Sequence, residues 1–512
     1  MSVRFKYCAV FLFLLFVIPF AGCEHEENSL VFTPIDLNQF SKEHKGFNLL
    51  GKFDVGWSNY GFSEEEFIIV KDLGFNFVRL PLDYRTYTQP GNWDVFLEEE
   101  ISEIDKALEY GEKYGVHVCI NLHRAPGYCV NPATNLPPNQ NVSLWSDATA
   151  QKAFVNHWSY FATRYKDVPW NRLSFNLINE PGSMDETTYV TVMKMAIDKI
   201  QSINPDRIIF VDGLNYARDI LPSLNDRKNI IQAIHVYDPM TLTHYKAEWV
   251  SGSDSWPLPV WPMTDINKYL YGPLKADLMS SLILEGSFPK DMDVIVNVQQ
   301  VSNQSKLEIK LDANSIFTKS FICGPDPGED WTQIINTQWG YQNISAKDYS
   351  VTLPQAGTKL TFSNIAGDWM TFNSITLRTA TDTFRIIPAN TTWAVKQSAY
   401  KITSDGKITD KDGNPAVALG DLTKKLDNAL TKNIPVMIQE FGVYNKTPHA
   451  ITISYLSDVV KIFNNYNVGY AMWNMIGTMG IINSERTDCN YEPYRGKSID
   501  RQMTSIMQSN NR

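Results

Sequence analysis

The sequence lacks the clusters of positive charge that mark nucleic-acid-binding proteins. Its 46 Lys and Arg residues are outnumbered by 56 Asp and Glu residues, which gives a net charge of −10, and no basic run interrupts this balance. Contacts to phosphate depend on clustered Lys and Arg, so a nucleic-acid partner is not expected. A neutral polar ligand fits this composition better.

Cysteine is also scarce. Only six cysteines occur in 512 residues, and those beyond the first 23 residues are Cys119, Cys129, Cys323 and Cys489. They form no C-x-x-C pair and the histidines are not clustered, so we predict no obligatory metal, and we expect no cofactor. Cys129 and Cys489 either pair or stay free thiols.

The one long uncharged apolar stretch lies near the amino terminus, from Cys8 to Phe20. It is too short to span a bilayer and is typical of an export signal. The ending Phe20-Ala21-Gly22-Cys23 resembles a bacterial lipobox, although Phe20 stands where leucine is usual. We expect a signal in residues 1–23, a lipid on Cys23, and location at a bacterial outer membrane or cell surface. Secretion or a periplasmic location is the alternative.

Beyond this leader, 43% of the residues are hydrophobic, which is enough for a sizeable core. Short β-branched runs alternate with stretches of helical apolar spacing. The runs are Gly46–Asp54, Asn76–Tyr84, Val116–Arg124, Leu173–Glu180, Ile208–Gly213, Ile230–Pro239, Ile434–Gly442 and Val468–Met475. Eight such strands predict an α/β fold of the (β/α)8 TIM barrel type, and no G-x-G-x-x-G motif supports a dinucleotide-binding sheet.

A different period interrupts the barrel pattern between residues 271 and 392. Runs such as Val294–Val298 and Lys306–Leu311 alternate apolar and polar residues, which predicts an inserted all-β domain of the sandwich type. Barrel strands 1 to 6 then fall within residues 24–270, and strands 7 and 8 within residues 393–512. Because loops after barrel strands lie on the catalytic face, the insert should stand beside that face.

The insert contains several large aromatic residues, namely Trp331, Trp339, Tyr341 and Trp369. They either stack on sugar rings, as in a carbohydrate-binding domain, or build the core of the sandwich. The sequence leaves both interpretations open.

Two glutamates close predicted barrel strands. Asn179-Glu180-Pro181 ends the fourth strand, and Gln439-Glu440-Phe441-Gly442 ends the seventh. Parallel barrel strands end at one face, so the two carboxylates should lie near each other. A pair about 5 to 5.5 Å apart can cleave a glycosidic bond with retention of configuration.

Other polar and aromatic residues accompany the glutamates at strand ends: Arg79 in Val-Arg-Leu-Pro, His123 in Asn-Leu-His, His235 and Tyr237 in His-Val-Tyr, and Trp473 in Ala-Met-Trp-Asn. With this set the sequence resembles glycoside hydrolase family 5, the cellulase-like family of β-glycan hydrolases, over the barrel but not over the insert. The resemblance implies catalytic Glu180 and Glu440, with substrate binding by Arg79, His123, Asn179, His235, Tyr237 and Trp473.

The resemblance and the chemistry together suggest a role for each residue. Glu180 would act as the general acid and Glu440 as the nucleophile, kept ionised by Arg79 and by the Tyr237 hydroxyl. Asn179 would hold the sugar 2-hydroxyl, and Trp473 would offer a stacking face.

The resemblance implies a β-linked polysaccharide or oligosaccharide as the substrate. An endo-β-1,4-glucanase is the first expectation, and an endo-β-mannanase or an enzyme for xyloglucan or β-1,3-glucan is the alternative. A non-catalytic surface glycan-binding lipoprotein is the alternative of another class, and the presence of both glutamates argues against it. The residues do not indicate an oligomeric state.

Overall fold

The computed structural model describes residues 35–131, 136–404, 406–413, 416 and 418–509. The predicted signal and Cys23 lie outside these residues, so their processing stays a prediction. Within the described residues, no helix has both the length and the apolar character needed to cross a membrane.

Eight parallel strands form a closed barrel, as the sequence predicts. They are β1 (Lys45–Asn48), β2 (Phe77–Asp83), β3 (His117–Ala125), β4 (Leu173–Asn176), β5 (Ile208–Asp212), β6 (Ile230–Val236), β7 (Val436–Phe441) and β8 (Tyr470–Met472). Each strand pairs with the next, and β1 pairs with both β2 and β8, which closes the ring. The (β/α)8 barrel is therefore confirmed.

Helices surround this ring. They are α1 (Leu37–Glu43), α2 (Glu64–Asp72), α3 (Glu98–Tyr114), α4 (Ala148–Arg164), α5 (Glu186–Ile203), α6 (Gly420–Thr431), α7 (His449–Asn465) and α8 (Arg501–Gln508). The connection from β5 to β6 has only the short segments Leu214–Ala217 and Pro222–Leu224 in place of a full helix. This part of the ring departs from a regular (β/α)8 pattern.

Local sequence signals explain several helix boundaries. Ser63 and Glu66 form a capping box at the start of α2, so each side chain binds the other residue's backbone N–H. Asp147 and Asp185 accept backbone N–H bonds at the starts of α4 and α5. Gly115 ends α3 in the left-handed conformation, with φ of 66°.

The insert has a hydrophobic core separate from that of the barrel. Its first sheet contains Tyr269–Tyr271, Asp293–Ser302, Asn336–Thr337, Gly340–Thr352, Trp369–Arg378 and Thr383–Ile386. Its second sheet contains Leu282–Phe288, Gln304–Leu311, Asn314–Ile322, Gly357–Gly367, Ala399–Ile402 and Ile408–Asp410. Successive residues of strands such as Asp293–Ser302 alternate between half-buried and buried positions over most of the strand, with the valines buried, as expected for a strand packed on one face.

The insert extends further along the chain than residues 271–392. Strand Thr264–Asn267 pairs with Pro388–Asn390, and the second sheet continues to Asp410. These outer strands are short, so their apolar alternation gives little signal in the sequence. The Ala418 N–H donates to the Met263 carbonyl at 2.9 Å, so the chain leaves and re-enters the barrel at one place.

This junction lies near the predicted catalytic face. Ala418 and Leu419 precede α6 and line one small cavity together with His235 and Asp238, at the end of β6. The point of insertion is therefore at the rim of the barrel where the strands end.

Candidate active site

Arg79 on β2 organises the floor of the barrel mouth. Its side chain is fully buried. Its Nη1 donates to Glu440 Oε1 at 2.5 Å and to Asn48 Oδ1 at 2.9 Å, Nε donates to Asn176 Oδ1 at 2.9 Å, and Nη2 donates to Asn179 Oδ1 at 2.8 Å. One guanidinium thus fixes four side chains from the ends of three strands, β1, β4 and β7.

Glu440 on β7 is the more enclosed of the two glutamates. Its side chain is 4% exposed, and it accepts hydrogen bonds from Arg79 and, at 3.0 Å, from the Tyr237 hydroxyl. Burial raises the pKa of Glu440, against the opposing charges of His235 and Arg79. Burial and Glu440 hold the pKa of Tyr237 well above its usual value, so this phenol stays a hydrogen-bond donor.

The close approach of β7 and β8 depends on a glycine. A Cβ on Gly442 would lie 2.3 Å from the carbonyl oxygen of Trp473. Any side chain at this position would push the two strand ends apart and displace Glu440 relative to Trp473.

Glu180 follows β4 and is held differently. Its φ of 48° lies in the left-handed region. Its backbone N–H donates to Asp212 Oδ2 at 2.9 Å, and its carbonyl accepts from the Tyr128 hydroxyl at 2.6 Å. Its carboxylate contacts His235 Nδ1 at 2.8 Å, and its side chain is 18% exposed. Backbone contacts therefore aim this carboxyl group into the mouth.

The two carboxylates meet around His235. One oxygen of Glu180, one ring nitrogen of His235 and one oxygen of Glu440 all lie within 4.8 Å of one another. Retaining glycosidases hold their carboxyl groups about 5 to 5.5 Å apart, whereas inverting enzymes need about 6.5 to 9.5 Å. The pair fits the retaining arrangement.

Three carboxylate side chains lie close to His235. Burial lowers its pKa, but Glu440, Asp212 and Glu180 together raise it above the usual value. Its Nδ1 is 3.6 Å from Glu440 Oε2, and its Nε2 is 3.5 Å from Asp212 Oδ2. The imidazole can therefore hold a proton between the carboxylates.

An aromatic wall forms the opposite side of the mouth. The rings of Trp473 and His123 are stacked at 5.3 Å, and Phe53 contacts Trp473 at 5.3 Å. Burial, with help from Arg79 and Arg124, lowers the pKa of His123 well below its usual range, so His123 is neutral. The Asn179 amide nitrogen lies 3.4 Å from His123 Nε2. Trp473 is half-buried and keeps part of its surface open.

The structure brings together all eight residues that the sequence analysis selected at strand ends: Arg79, His123, Asn179, Glu180, His235, Tyr237, Glu440 and Trp473. Three contributors were missed: Asn48, Asn176 and Asp212. Asp212 carried a usable signal, because it closes the apolar run Ile-Ile-Phe-Val as the two glutamates close theirs. Asn48 and Asn176 end β1 and β4, but each lies within a longer predicted strand run, Gly46–Asp54 or Leu173–Glu180, and so gives no comparable signal.

A second cluster also has metal-ligand character. Ligand atoms of His449, Cys489 and Asp500 lie within 4.8 Å of one another. His449 Nε2 contacts Asp500 Oδ2 at 2.7 Å, and Asp500 also caps α8 through the Met503 N–H. Burial and Asp500 raise the pKa of Cys489 to about 12. The cluster is explained by the helix cap, and the absence of an obligatory metal stays a prediction.

The structure also shows the state of the four cysteines and the exposure of several tryptophans outside the paired glutamates. Cys129 and Cys489 are free thiols, as are Cys119 and Cys323. Trp261, in the loop after β6, is 9% exposed and its Nε1 donates to Asp458 on α7. In the insert, Trp331 and Trp369 are each 8% exposed and pack inside, whereas Trp339 is exposed.

Known proteins share this barrel. The family model described as Cellulase (glycosyl hydrolase family 5) matches residues 36–268. The predicted resemblance to family 5 is confirmed. The matched residues include β1 to β6 and thus Glu180, while Glu440 and Trp473 lie beyond them.

Curated endoglucanases are also similar to part of this chain. Endoglucanase C of Acetivibrio thermocellus is 31% identical over 213 residues, which cover 41% of this chain and 56% of that protein. The chain thus spans about half the length of the curated relatives it matches.

Solved structures show the same fold. A crystal structure of a glycoside hydrolase has a TM-score of 0.58 at 23% identity, covering 92% of this chain and 99% of that chain. Thermotoga maritima Cel5A in complex with mannotriose has a TM-score of 0.51 at 16% identity, covering 92% of this chain and 100% of that chain.

Proposed function

We propose that the protein is a retaining glycoside hydrolase that cleaves β-linked polysaccharide, most simply as an endo-β-1,4-glucanase. The observation that carries the proposal is the convergence of Glu180 and Glu440, whose carboxylate oxygens lie within 4.8 Å of each other in a barrel of family 5 type. Such a spacing suits a two-step mechanism with a covalent glycosyl intermediate.

In the first step, Glu440 attacks the anomeric carbon and the glycosidic oxygen leaves with a proton from Glu180. Arg79 and Tyr237 donate hydrogen bonds to Glu440, so the anionic form that attacks is stabilised despite its burial. His235 contacts Glu180 at 2.8 Å and can exchange a proton with it. In the second step, Glu180 takes a proton from water, which then releases the sugar from Glu440.

The neighbouring residues position the sugar at the cleaved bond. Arg79 and His123 hold the Asn179 amide, whose nitrogen carries two protons and can donate to the 2-hydroxyl. This contact strengthens as positive charge develops on the sugar ring. The partly open face of Trp473 can stack on the pyranose C–H groups.

The glucan preference rests on the endoglucanase named among the relatives. The mannotriose complex of a structural neighbour favours keeping β-mannan as the second candidate. A panel of β-glucans, β-mannan, xyloglucan and β-1,3-glucan, assayed with the whole protein, would separate these substrates. Highest kcat/KM on mannan would replace the glucanase assignment without affecting the mechanism.

Stereochemistry tests the mechanism itself. Proton NMR of the product, recorded before mutarotation, is expected to show the β anomer first. Initial release of the α anomer would refute a retaining mechanism, and no release of reducing sugar from any polysaccharide in the panel would favour a glycan-binding protein without turnover.

We also propose that the protein is exported and anchored by a lipid on Cys23. The support is the apolar leader and the lipobox-like ending of the sequence. Cys23→Ala should move the protein from the membrane fraction to the soluble fraction of the producing cells. Unchanged fractionation would exclude lipidation at this cysteine.

A further inference from the structure

The backbone of Glu180 has an unfavourable conformation. Its φ of 48° lies in the left-handed region, which few residues with a side chain adopt. The next residue is Pro181, and a residue before proline prefers an extended backbone. Contacts around Glu180 must therefore hold this conformation, and with it the direction of the carboxyl group.

Two hydrogen bonds hold Glu180, one on each of its peptide groups. Its N–H donates to Asp212 Oδ2 at 2.9 Å, and its carbonyl accepts from the Tyr128 hydroxyl at 2.6 Å. The peptide group between Glu180 and Pro181 has no N–H, so its carbonyl oxygen is the one atom that a hydrogen bond can hold. Tyr128 therefore fixes the side of Glu180 that Asp212 does not reach.

A tight hairpin places Tyr128 at this point. Tyr128 pairs with Ala125 at the end of β3, so Pro126 and Gly127 form the turn between them. Gly127 has a φ of 76°, and a Cβ at this position would lie 2.7 Å from the Leu144 nitrogen, so glycine is required. The Leu144 N–H in turn donates to the Gly127 carbonyl at 2.9 Å. The turn is thus fixed by its own backbone and by the chain that follows it.

Packing and charge keep the Tyr128 hydroxyl as a donor to Glu180. The Tyr128 ring is half-buried and meets the Trp145 ring edge-on, with 5.0 Å between the ring centres. Burial and the negative charge of Glu180 raise the pKa of Tyr128, so the phenol keeps its proton. The hydroxyl therefore stabilises the backbone of Glu180 without exchanging a proton in the reaction.

The position of Glu180 matters because it must deliver a proton to the glycosidic oxygen. A general acid works only within hydrogen-bond reach of that oxygen, and a misplacement of about 1 Å can cost about 10²-fold in rate. Resting on the proposed function, we propose that Tyr128 is a positioning residue for the general acid. Its hydroxyl acts on the reaction through the backbone of Glu180 and not through the sugar.

The test compares a leaving group that needs the acid with one that does not. Phenol leaves phenyl β-cellobioside with a proton from Glu180, whereas 2,4-dinitrophenolate is a weak base and leaves without one. Tyr128→Phe keeps the ring and its contact with Trp145 and loses only the hydroxyl. It should lower kcat/KM about tenfold for the phenyl glycoside and less than about twofold for the dinitrophenyl glycoside. If mannan is preferred in the polysaccharide panel, the matching β-mannobiosides are used.

Two reference variants calibrate this result. Glu180→Ala removes the acid itself and should show the same difference between the two glycosides to a larger degree. Tyr470→Phe is the matched control, because the buried Tyr470 hydroxyl also donates to a backbone carbonyl at 2.6 Å, that of Met507. Tyr470 begins β8, and its replacement should keep the wild-type ratio of the two glycosides.

Equal losses on both glycosides in Tyr128→Phe, or no loss on either, would overturn the positioning role. A loss on oligosaccharides alone would also overturn it, because the hydroxyl would then bind the departing sugar. If Glu180→Ala lost equally on both glycosides, the assignment of Glu180 as the acid would fail first. A wild-type protein inactive on both glycosides and on every polysaccharide would refute the proposed function.

Discussion

The ends of β4 and β7 carry the same residue in different surroundings. Glu440 is almost enclosed and accepts hydrogen bonds from Arg79 and Tyr237. Glu180 is more open, and His235 is its nearest polar partner. A carboxylate surrounded by donors is suited to remain charged and attack, while one beside an imidazole is suited to exchange protons. The environment, and not the residue type, divides the two roles.

The two glutamates also differ in what fixes their direction. Side-chain contacts hold Glu440 within a regular strand. Glu180 lies past the end of β4, where Asp212 and Tyr128 bind its backbone N–H and carbonyl. Mutations around β7 should therefore change the charge of Glu440, the proposed nucleophile, whereas those around β4 should change the placement of Glu180, the proposed acid.

The largest expected effect comes from removing the glutamates themselves. Glu440→Ala and Glu180→Ala should each lower kcat on polysaccharide by several orders of magnitude while the fold survives, because each removes one half of a two-step mechanism. Loss of general acid catalysis alone lowers the rate about 10²- to 10⁴-fold. Initial rates and circular dichroism of both variants provide the measurement.

A fluoride substrate sharpens this comparison. Fluoride leaves without protonation, so Glu180→Ala should still form the glycosyl intermediate from β-cellobiosyl fluoride, and Glu440→Ala should not. A burst of fluoride from Glu440→Ala but not from Glu180→Ala would reverse the assigned roles. Polysaccharide activity within tenfold of wild type in either variant would end the assignment.

A smaller effect is expected at the partner of Glu440. Tyr237→Phe removes one donor to a buried carboxylate, a bond worth about 1.5 to 3 kcal/mol, so kcat/KM should fall about 10- to 100-fold. Tyr189→Phe, which loses a hydroxyl bonded to the Asp212 backbone, is a matched control away from Glu440. Equal losses in the two variants would indicate damage to the barrel instead of a specific role for Tyr237.

On the Glu180 side, Asp212→Asn should shift the pH profile. The negative charge of Asp212 raises the pKa of His235, together with Glu440 and Glu180. Its removal lowers that pKa, so the His235 proton is lost at lower pH and the alkaline limb of kcat/KM moves to lower pH. Tyr189→Phe keeps the charge and should leave the limb in place. A limb that stays fixed in Asp212→Asn would remove Asp212 from the proton balance.

The smallest effect is expected from removing the insert, which leaves the ends of β4 and β7 unchanged. Replacing residues 264–417 with a short Gly/Ser linker between Met263 and Ala418 should raise KM for long polysaccharides severalfold and leave short oligosaccharides nearly unaffected, if the insert supplies a second contact with the polymer. Equal losses on both substrates would mean that the insert shapes the mouth, and no loss would mean that it does not capture substrate.

Much of this site was predictable because each residue closes a local apolar run. Glu180, His235 and Glu440 each follow a strand signal that needs no knowledge of distant contacts. Asp212 shares that signal, but its importance appears only when β4, β5 and β6 converge on it. The left-handed conformation of Glu180 could not be predicted, because a non-glycine residue adopts it only under tertiary constraint.

Less of the insert than of the active site could be predicted from the sequence. Its long alternating strands, such as Asp293–Ser302, were recognisable, but the short outer strands were not. Trp331 and Trp339 both have polar neighbours in the sequence, yet Trp331 is 8% exposed and Trp339 is 70% exposed. Which face of a strand or loop is covered depends on the opposing sheet, and a local pattern does not contain that information.

The backbone hydrogen bond between Met263 and Ala418 has a consequence for folding. The cost of closing a flexible loop grows with its length, and a loop of this size would otherwise separate β6 from α6. Once the insert folds around its own core, its two ends are adjacent, and the barrel closes across a gap no wider than one hydrogen bond. Another independently packed domain could therefore replace the insert at this junction without altering the barrel.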